Sequence, residues 1–205
     1  SVSRVRHYAA GAHLRSAVYD LHAARCLQHH IGQTDMALAQ AYAFFDTYLD
    51  VLTQRHMPEI GPLLRGCDIL ALDAIRRPHP ALSMVEPPLV ACNRGASASV
   101  LREGVQMPGR NSNPLALIEI PYTRLMEKYN LTSILHESGH EVMVRLGLRE
   151  ILPVMIKTAL NRQNASKEVQ EYYALWMSEI GPDFWTFLCS GIAAAGGVRE
   201  ILTLP

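Results

Sequence analysis

His136, Glu137 and His140 lie within Leu135-His136-Glu137-Ser138-Gly139-His140-Glu141-Val142, an HExxH pattern. On an α-helix, residues four apart are separated by about 40° around the axis and about 6 Å along it. The two imidazoles therefore point the same way, and one nitrogen of each can reach a metal ion at about 2.0–2.1 Å. Glu137, about 100° around from His136, is placed to reach a water on that metal without ligating it. Zinc lowers the pKa of such a water toward about 7, so a neighbouring carboxylate can take its proton. A chance match is the competing explanation, and it would sit on a solvated polar face. Here the intervening Ser138 and Gly139 are small, and Ile134, Leu135, Val142, Met143, Val144 and Leu146 surround them. A helix apolar on several sides is buried, and buried His and Glu need partners.

The third ligand is sought by elimination. No histidine follows His140, so the longer signature with a third downstream His is absent. Cys189, the sole downstream cysteine, sits in an apolar helical stretch and reads as core. Glu141 points away from the metal, and Glu150, Glu168 and Glu200 lie in polar surroundings that read as surface. Glu179 ends the stretch Tyr172-Tyr173-Ala174-Leu175-Trp176-Met177-Ser178, which has the composition of a buried helix, and Asp183 follows four residues later. A Glu on the metal with an Asp one turn on makes physical sense, since the Asp can accept a hydrogen bond from the far nitrogen of a ligating His. The alternative is a helix-end Glu179 with Asp183 capping the next helix after Gly181-Pro182.

HESGH at His136–His140 together with EIGPD at Glu179–Asp183 resembles the gluzincins, the thermolysin-like zinc metallopeptidases. The likeness covers roughly Leu115 to Trp185. It implies zinc held by His136, His140 and Glu179, Glu137 as general base, and Asp183 hydrogen-bonded to a ligating His. It also implies that Leu115–Ile120 is an edge strand along which an extended peptide pairs. The sequence departs from the pattern in three ways. The gap from His140 to Glu179 is longer than in thermolysin, and an extra helix, about Ile151 to Leu160, must fit within it. Gly181-Pro182 breaks the second helix as read from sequence. With no downstream His to stabilise an oxyanion, a tyrosine would have to serve: Tyr172, seven residues before Glu179, is the first choice, with Tyr173, Tyr122 and Tyr129 behind it.

A second group, His22, Cys26 and His29 at i, i+4 and i+7 with His30 beside them, could bind another metal. Residues of this kind on an Ala- and Leu-rich helix are more often core or interface polars. His7, His13, His56 and His79 have no informative spacing.

Three stretches position these residues. From about Arg4 to Arg77, apolar residues recur at helical spacing (Leu14, Val18, Leu21; then Leu38, Ala41, Phe45, Tyr48, Leu52), interrupted at Gly32-Gln33 with Thr34 as a cap. The pattern predicts two long helices and one or two shorter ones between Pro58 and Ile75, packed as a bundle. Pro78 to Pro114 holds six prolines and predicts loops with short extended pieces, most mobile at Arg94–Ser99 and Gly109–Asn113. From Leu115 onward the reading is a strand at Leu115–Ile120 and a helix from an Asn130 cap to Leu146 with Gly147 as its stop. Further helices follow from Pro153, over Lys167–Ile180, and over Asp183–Ala195. The expectation is one domain over residues 1–205, α+β but predominantly helical: a helical part (1–77), Pro/Gly-rich loops (78–113) and a metal-site part (114–205). With the resemblance, this becomes a zincin-like fold.

Across 205 residues, 19 Lys and Arg balance 19 Asp and Glu, and no apolar run approaches the roughly 18 residues of a spanning helix. Neutral net charge argues against nucleic-acid and membrane-surface partners. Four scattered cysteines without a CxxC pair form no disulfide framework, which fits a cytoplasmic location. Ser1 in place of Met implies a processed or cut N-terminus, so secretion is not excluded. The helical pattern is unfinished at Leu202-Thr203-Leu204-Pro205, as in a piece of a longer chain. The expected function is zinc-dependent hydrolysis of a peptide or related amide bond, in a chain whose composition also permits an oligomer. The rivals are an inactive zinc-containing binding or scaffold protein of helical fold, and a helical interaction module with a coincidental motif.

Overall fold

The computed structural model describes the backbone of residues 2–95, 98–106 and 112–202, and the side chains of residues 20–95, 98–106 and 112–199. Ala96 and Ser97 within Arg94–Ser99, residues 109–111 within Gly109–Asn113, and the end of the pattern at Thr203–Pro205 lie outside the described residues, as do the side chains of His7, His13 and Glu200. The elements run α1 (Val2–His56), α2 (Gly61–Ile75), α3 (Pro80–Ser83), β1 (Leu89–Asn93), β2 (Ser99–Leu101), β3 (Leu117–Pro121), α4 (Tyr122–Met126), α5 (Thr132–Arg145), α6 (Leu148–Arg162), α7 (Lys167–Ser190) and α8 (Ile192–Leu202). The protein is mostly helical with one small sheet. No described helix is long and apolar enough to cross a membrane, and all four cysteines are free thiols.

The chain divides into two compact units, Ser1–Tyr48 with Pro108–Arg110, and Leu49–Met107 with Asn111–Pro205. In the first, α1 continues unbroken through Gly32, where a helix end was expected. A single helical Gly costs only about 1 kcal/mol. Thr34 Oγ1 donates back to the His30 carbonyl at 2.9 Å instead of capping a new helix. Leu21, Leu27, Ile31 and Leu38 are each more than half exposed, so the described residues of this unit form no bundle core.

The second unit is built on the sheet, ordered β1-β3-β2, with β1 and β3 parallel and β2 antiparallel to β3. The strand expected at Leu115–Ile120 forms as Leu117–Pro121, but it is the central strand and not an edge. Its apolar residues explain this: Leu117, Ile118 and Ile120 are all buried, and a strand needs neighbours on both sides to bury so much. Leu64, Cys67 and Ala71 of α2, spaced for one helical face, pack with Val90, Ile118, Ile120 and Ile134 into the largest core cluster. Side chains cap the outer edge of β1. Gln54 brackets Cys92, donating to its carbonyl at 2.8 Å and accepting from its N–H at 2.7 Å. Asp68 accepts from Val90 N–H at 2.7 Å, and Arg55, ion-paired to Asp68, donates to the Val90 carbonyl at 2.6 Å. Saturating these groups removes one open edge, and leaves the outer side of β2 as the unpaired edge among the described strands.

Two helix boundaries differ from expectation. Asn130 is buried in a 3-10 turn over Lys128–Leu131, and α5 starts after it at Thr132 without a side-chain cap. Helix α7 runs through Gly181-Pro182 to Ser190, where a break was expected, while α6 begins at Leu148, five residues before Pro153. Gly181 removes the Cβ that would meet the proline ring, and α7 presses against α5 at this point. A Cβ on Gly139 would stand 2.9 Å from Pro182 Cα and 3.1 Å from its carbonyl oxygen, while one on Gly181 would meet Met143 Sδ at 3.0 Å. The small residues thus bring the two backbones together. Gly139→Ala must push α7 away from α5, since the clash is with backbone. It is expected to cost about 1–3 kcal/mol, read as a lowered Tm; an unchanged Tm would refute the close approach.

Candidate metal centre

Helix α5 carries His136 and His140 on one face, with Ile134 on one side feeding the sheet core and Val142 on the other feeding a second cluster with Ile75 and Leu82. The imidazole rings lie 4.9 Å apart, centroid to centroid. The crossing at Gly139 and Pro182 brings α7 alongside, so that Glu179 and Asp183, one turn apart, flank His136 from the opposite helix. Glu179 Oε2 stands 3.3 Å from His136 Nε2 and 3.6 Å from His140 Nε2. Asp183 Oδ1 lies 2.7 Å from His136 Nδ1.

These distances can be tested against a metal. Four ligands at about 2.0–2.1 Å in a tetrahedron stand about 3.3 Å from one another. The Glu179–His136 separation matches that edge and the Glu179–His140 separation exceeds it slightly. Ligand atoms of His136, His140 and Glu179 all fall within 4.8 Å of one another, the one such three-residue group among the described residues. Asp183, accepting from Nδ1–H, leaves the lone pair of His136 on Nε2, the nitrogen that faces Glu179. The donor set fits a zinc ion.

The electrostatics are those of a partly dry pocket. Burial disfavours charge on His136, but the hydrogen bond and charge of Asp183, with Glu137 and Glu179, outweigh it and hold the pKa above the ordinary histidine value. Burial, reinforced by the charge of His136, pushes His140 the other way. Glu137 is 7% exposed, and burial raises its carboxyl above the usual range, although His136 opposes the shift and the Arg124 and Arg102 guanidiniums oppose it further. Arg124 is itself buried and donates to Ser133 Oγ at 3.1 Å.

Of the tyrosines considered for the oxyanion, none makes a described hydrogen bond or ring contact with this group. Tyr172 is exposed, its ring lies 6.0 Å from those of Tyr173 and Trp176, and it sits two turns of α7, about 10 Å, before Glu179. Tyr122 and Tyr173 are exposed too, and Tyr129 lines a separate recess with Ile192 and Arg199. On α1, Cys26 Sγ lies 3.6 Å from His22 Nε2, and no metal-ligand group on this helix is found among the described residues, where a second metal was the lesser reading. Glu141 is buried and accepts from Arg145 Nε at 2.7 Å, turned from the histidines as expected.

Sequence reasoning missed Arg102 and Arg149, which line a recess of about 280 Å³ with His140, Met143, Met177 and Glu179. Neither has a periodic or motif signal, for one follows a three-residue strand and the other opens α6. Comparisons with protein-family models, with curated proteins and with solved structures found no match.

Proposed function

We propose that this protein is a zinc-dependent hydrolase of peptide or related amide bonds, with the zincin arrangement that the HESGH and EIGPD segments resemble. The observation that carries the reading is Glu179 Oε2, 3.3 and 3.6 Å from the two imidazole Nε2 atoms, with Asp183 behind His136. A zinc ion held by His136, His140 and Glu179 would supply Lewis acidity for a scissile carbonyl and for the attacking water. Glu137 supplies the proton handling. Its carboxylate takes a proton from water as the new C–O bond forms, then gives it to the amine nitrogen as the C–N bond breaks. Burial suits it to both roles, because a raised pKa brings a carboxyl nearer to neutral operation. An extended substrate would pair with the outer side of β2 rather than with β3, since β2 is the unpaired edge among the described strands and Arg102, directly after it, lines the recess with His140.

Asp183 acts through His136. Asp183→Asn is expected to weaken zinc affinity about 10- to 100-fold, measured by competition with a chromophoric chelator; unchanged affinity would remove Asp183 from the site. The reading as a whole is tested by elemental analysis of fresh protein together with a fluorogenic peptide library, with and without chelator. One zinc per chain and chelator-sensitive cleavage support it. Zinc at that stoichiometry, a Tm lowered by chelation and no cleavage would point to the inactive scaffold instead.

A further inference from the structure

We propose that the recess beside the histidines is a carboxylate-recognition subsite, in which Arg102 and Arg149 hold an anionic group of the substrate. This deepens the hydrolase reading and rests on it. The recess combines two guanidiniums with Met143, Leu152 and Met177, so it offers cationic heads and flexible apolar walls in one space. That combination suits a carboxylate on a short aliphatic stem: the stem lies on the thioethers and the charge meets the arginines.

The guanidiniums are available. Among the described residues, neither Arg102 nor Arg149 has a carboxylate within ion-pair distance. Glu179, the one carboxylate among the described residues lining the recess, faces His136 and His140 at 3.3 and 3.6 Å, and two further acids are taken up by Arg145. Arg145 donates to Glu103 at 2.8 Å and to Glu141 at 2.7 Å, taking up the carboxylate next to Arg102 in sequence and the one next to His140. Arg102 is also held in place from behind. Asn113, 1% exposed, directs its side-chain amide to the carbonyls of Arg102 at 2.8 Å, Leu115 at 2.6 Å and Leu101 at 3.3 Å. These bonds fix the backbone that carries Arg102 and so hold the root of its side chain beside the recess.

A carboxylate there has two sources, the free C-terminus of a peptide or an acidic side chain. Isothermal titration with the zinc-loaded full chain separates them: acetyl-leucine carries only a terminal carboxylate, acetyl-glutamate amide only a side-chain one, and acetyl-leucine amide neither. The expected result is that one of the two acids binds at least tenfold more tightly than the neutral amide. Arg102→Ala and Arg149→Ala should each remove about tenfold of that preference. Arg149 is exposed, so its variant tests the idea even if Arg102→Ala disturbs the loop. Acids that bind no better than the amide, or a preference untouched in both Arg149→Ala and Arg102→Ala, overturn the subsite; the latter result would trace the carboxylate to the metal alone. The two levels fail separately. Arginine-dependent binding without peptide cleavage would keep the subsite and discard the hydrolase, whereas cleavage indifferent to anionic residues would do the reverse.

Discussion

Glu137→Gln protein is expected to hold zinc as the parent does and to cleave peptides about 10²–10⁴-fold more slowly. The substitution keeps the volume of the side chain and its place on α5, and removes only its capacity to accept and return a proton. Glu137 is not in the ligand group, which consists of His136, His140 and Glu179, so stoichiometry should stay at one ion per chain. Neutralising it also spares the buried position a charge that burial already disfavours, so the variant should melt no lower than the parent. The three readouts together discriminate. Loss of zinc would make Glu137 a ligand. Loss of stability would make it a structural partner of Arg124, whose charge it feels. Retained turnover would remove the general-base role.

The local part of this centre is written in the chain. Two histidines four apart fall on one helical face wherever the helix is stable, and the apolar residues around Ser138 and Gly139 ensure that it is. Glu179 and Asp183 were legible by composition and spacing, but how they are brought to the histidines was not. Gly181-Pro182 reads as a helix end by local rules, yet α7 continues through it because Pro182 packs on the bare Cα of Gly139. That contact lies between residues more than forty apart and has no local signature. The same limit explains the sheet. Leu115–Ile120 is recognisable as a strand from its apolar run, but whether it is central or at an edge depends on β1 and β2, which arrive from the proline-rich stretch with weak signals of their own. Arg102 and Arg149 reach the recess only through tertiary placement. Tyr172, chosen for its periodicity with Glu179, proved to be on an exposed part of α7.

His140→Ala is expected to abolish zinc binding and, with it, the thermal response to zinc. For the parent, zinc at a hundred times its dissociation constant should contribute about 2.7 kcal/mol to stability, which for a chain of this size raises Tm by about 5–10 °C. In the variant the rise should vanish. This choice of residue separates a metal centre from an ionic cluster that holds two helices together. Removing His140 leaves the contacts of His136 with Asp183 at 2.7 Å and with Glu179 at 3.3 Å intact. The carboxylates are about half exposed, at 46% and 54%, so as ion pairs they are screened and contribute little. Truncating the mostly buried His140 side chain lowers Tm under either reading, so the discriminating readout is the zinc response, and a structural cluster predicts no zinc effect in either protein. A metal centre predicts a large zinc-induced shift in the parent alone, because two remaining donors cannot complete a tetrahedral site. Equal shifts in parent and variant would place the ion elsewhere and remove His140 from the ligand set.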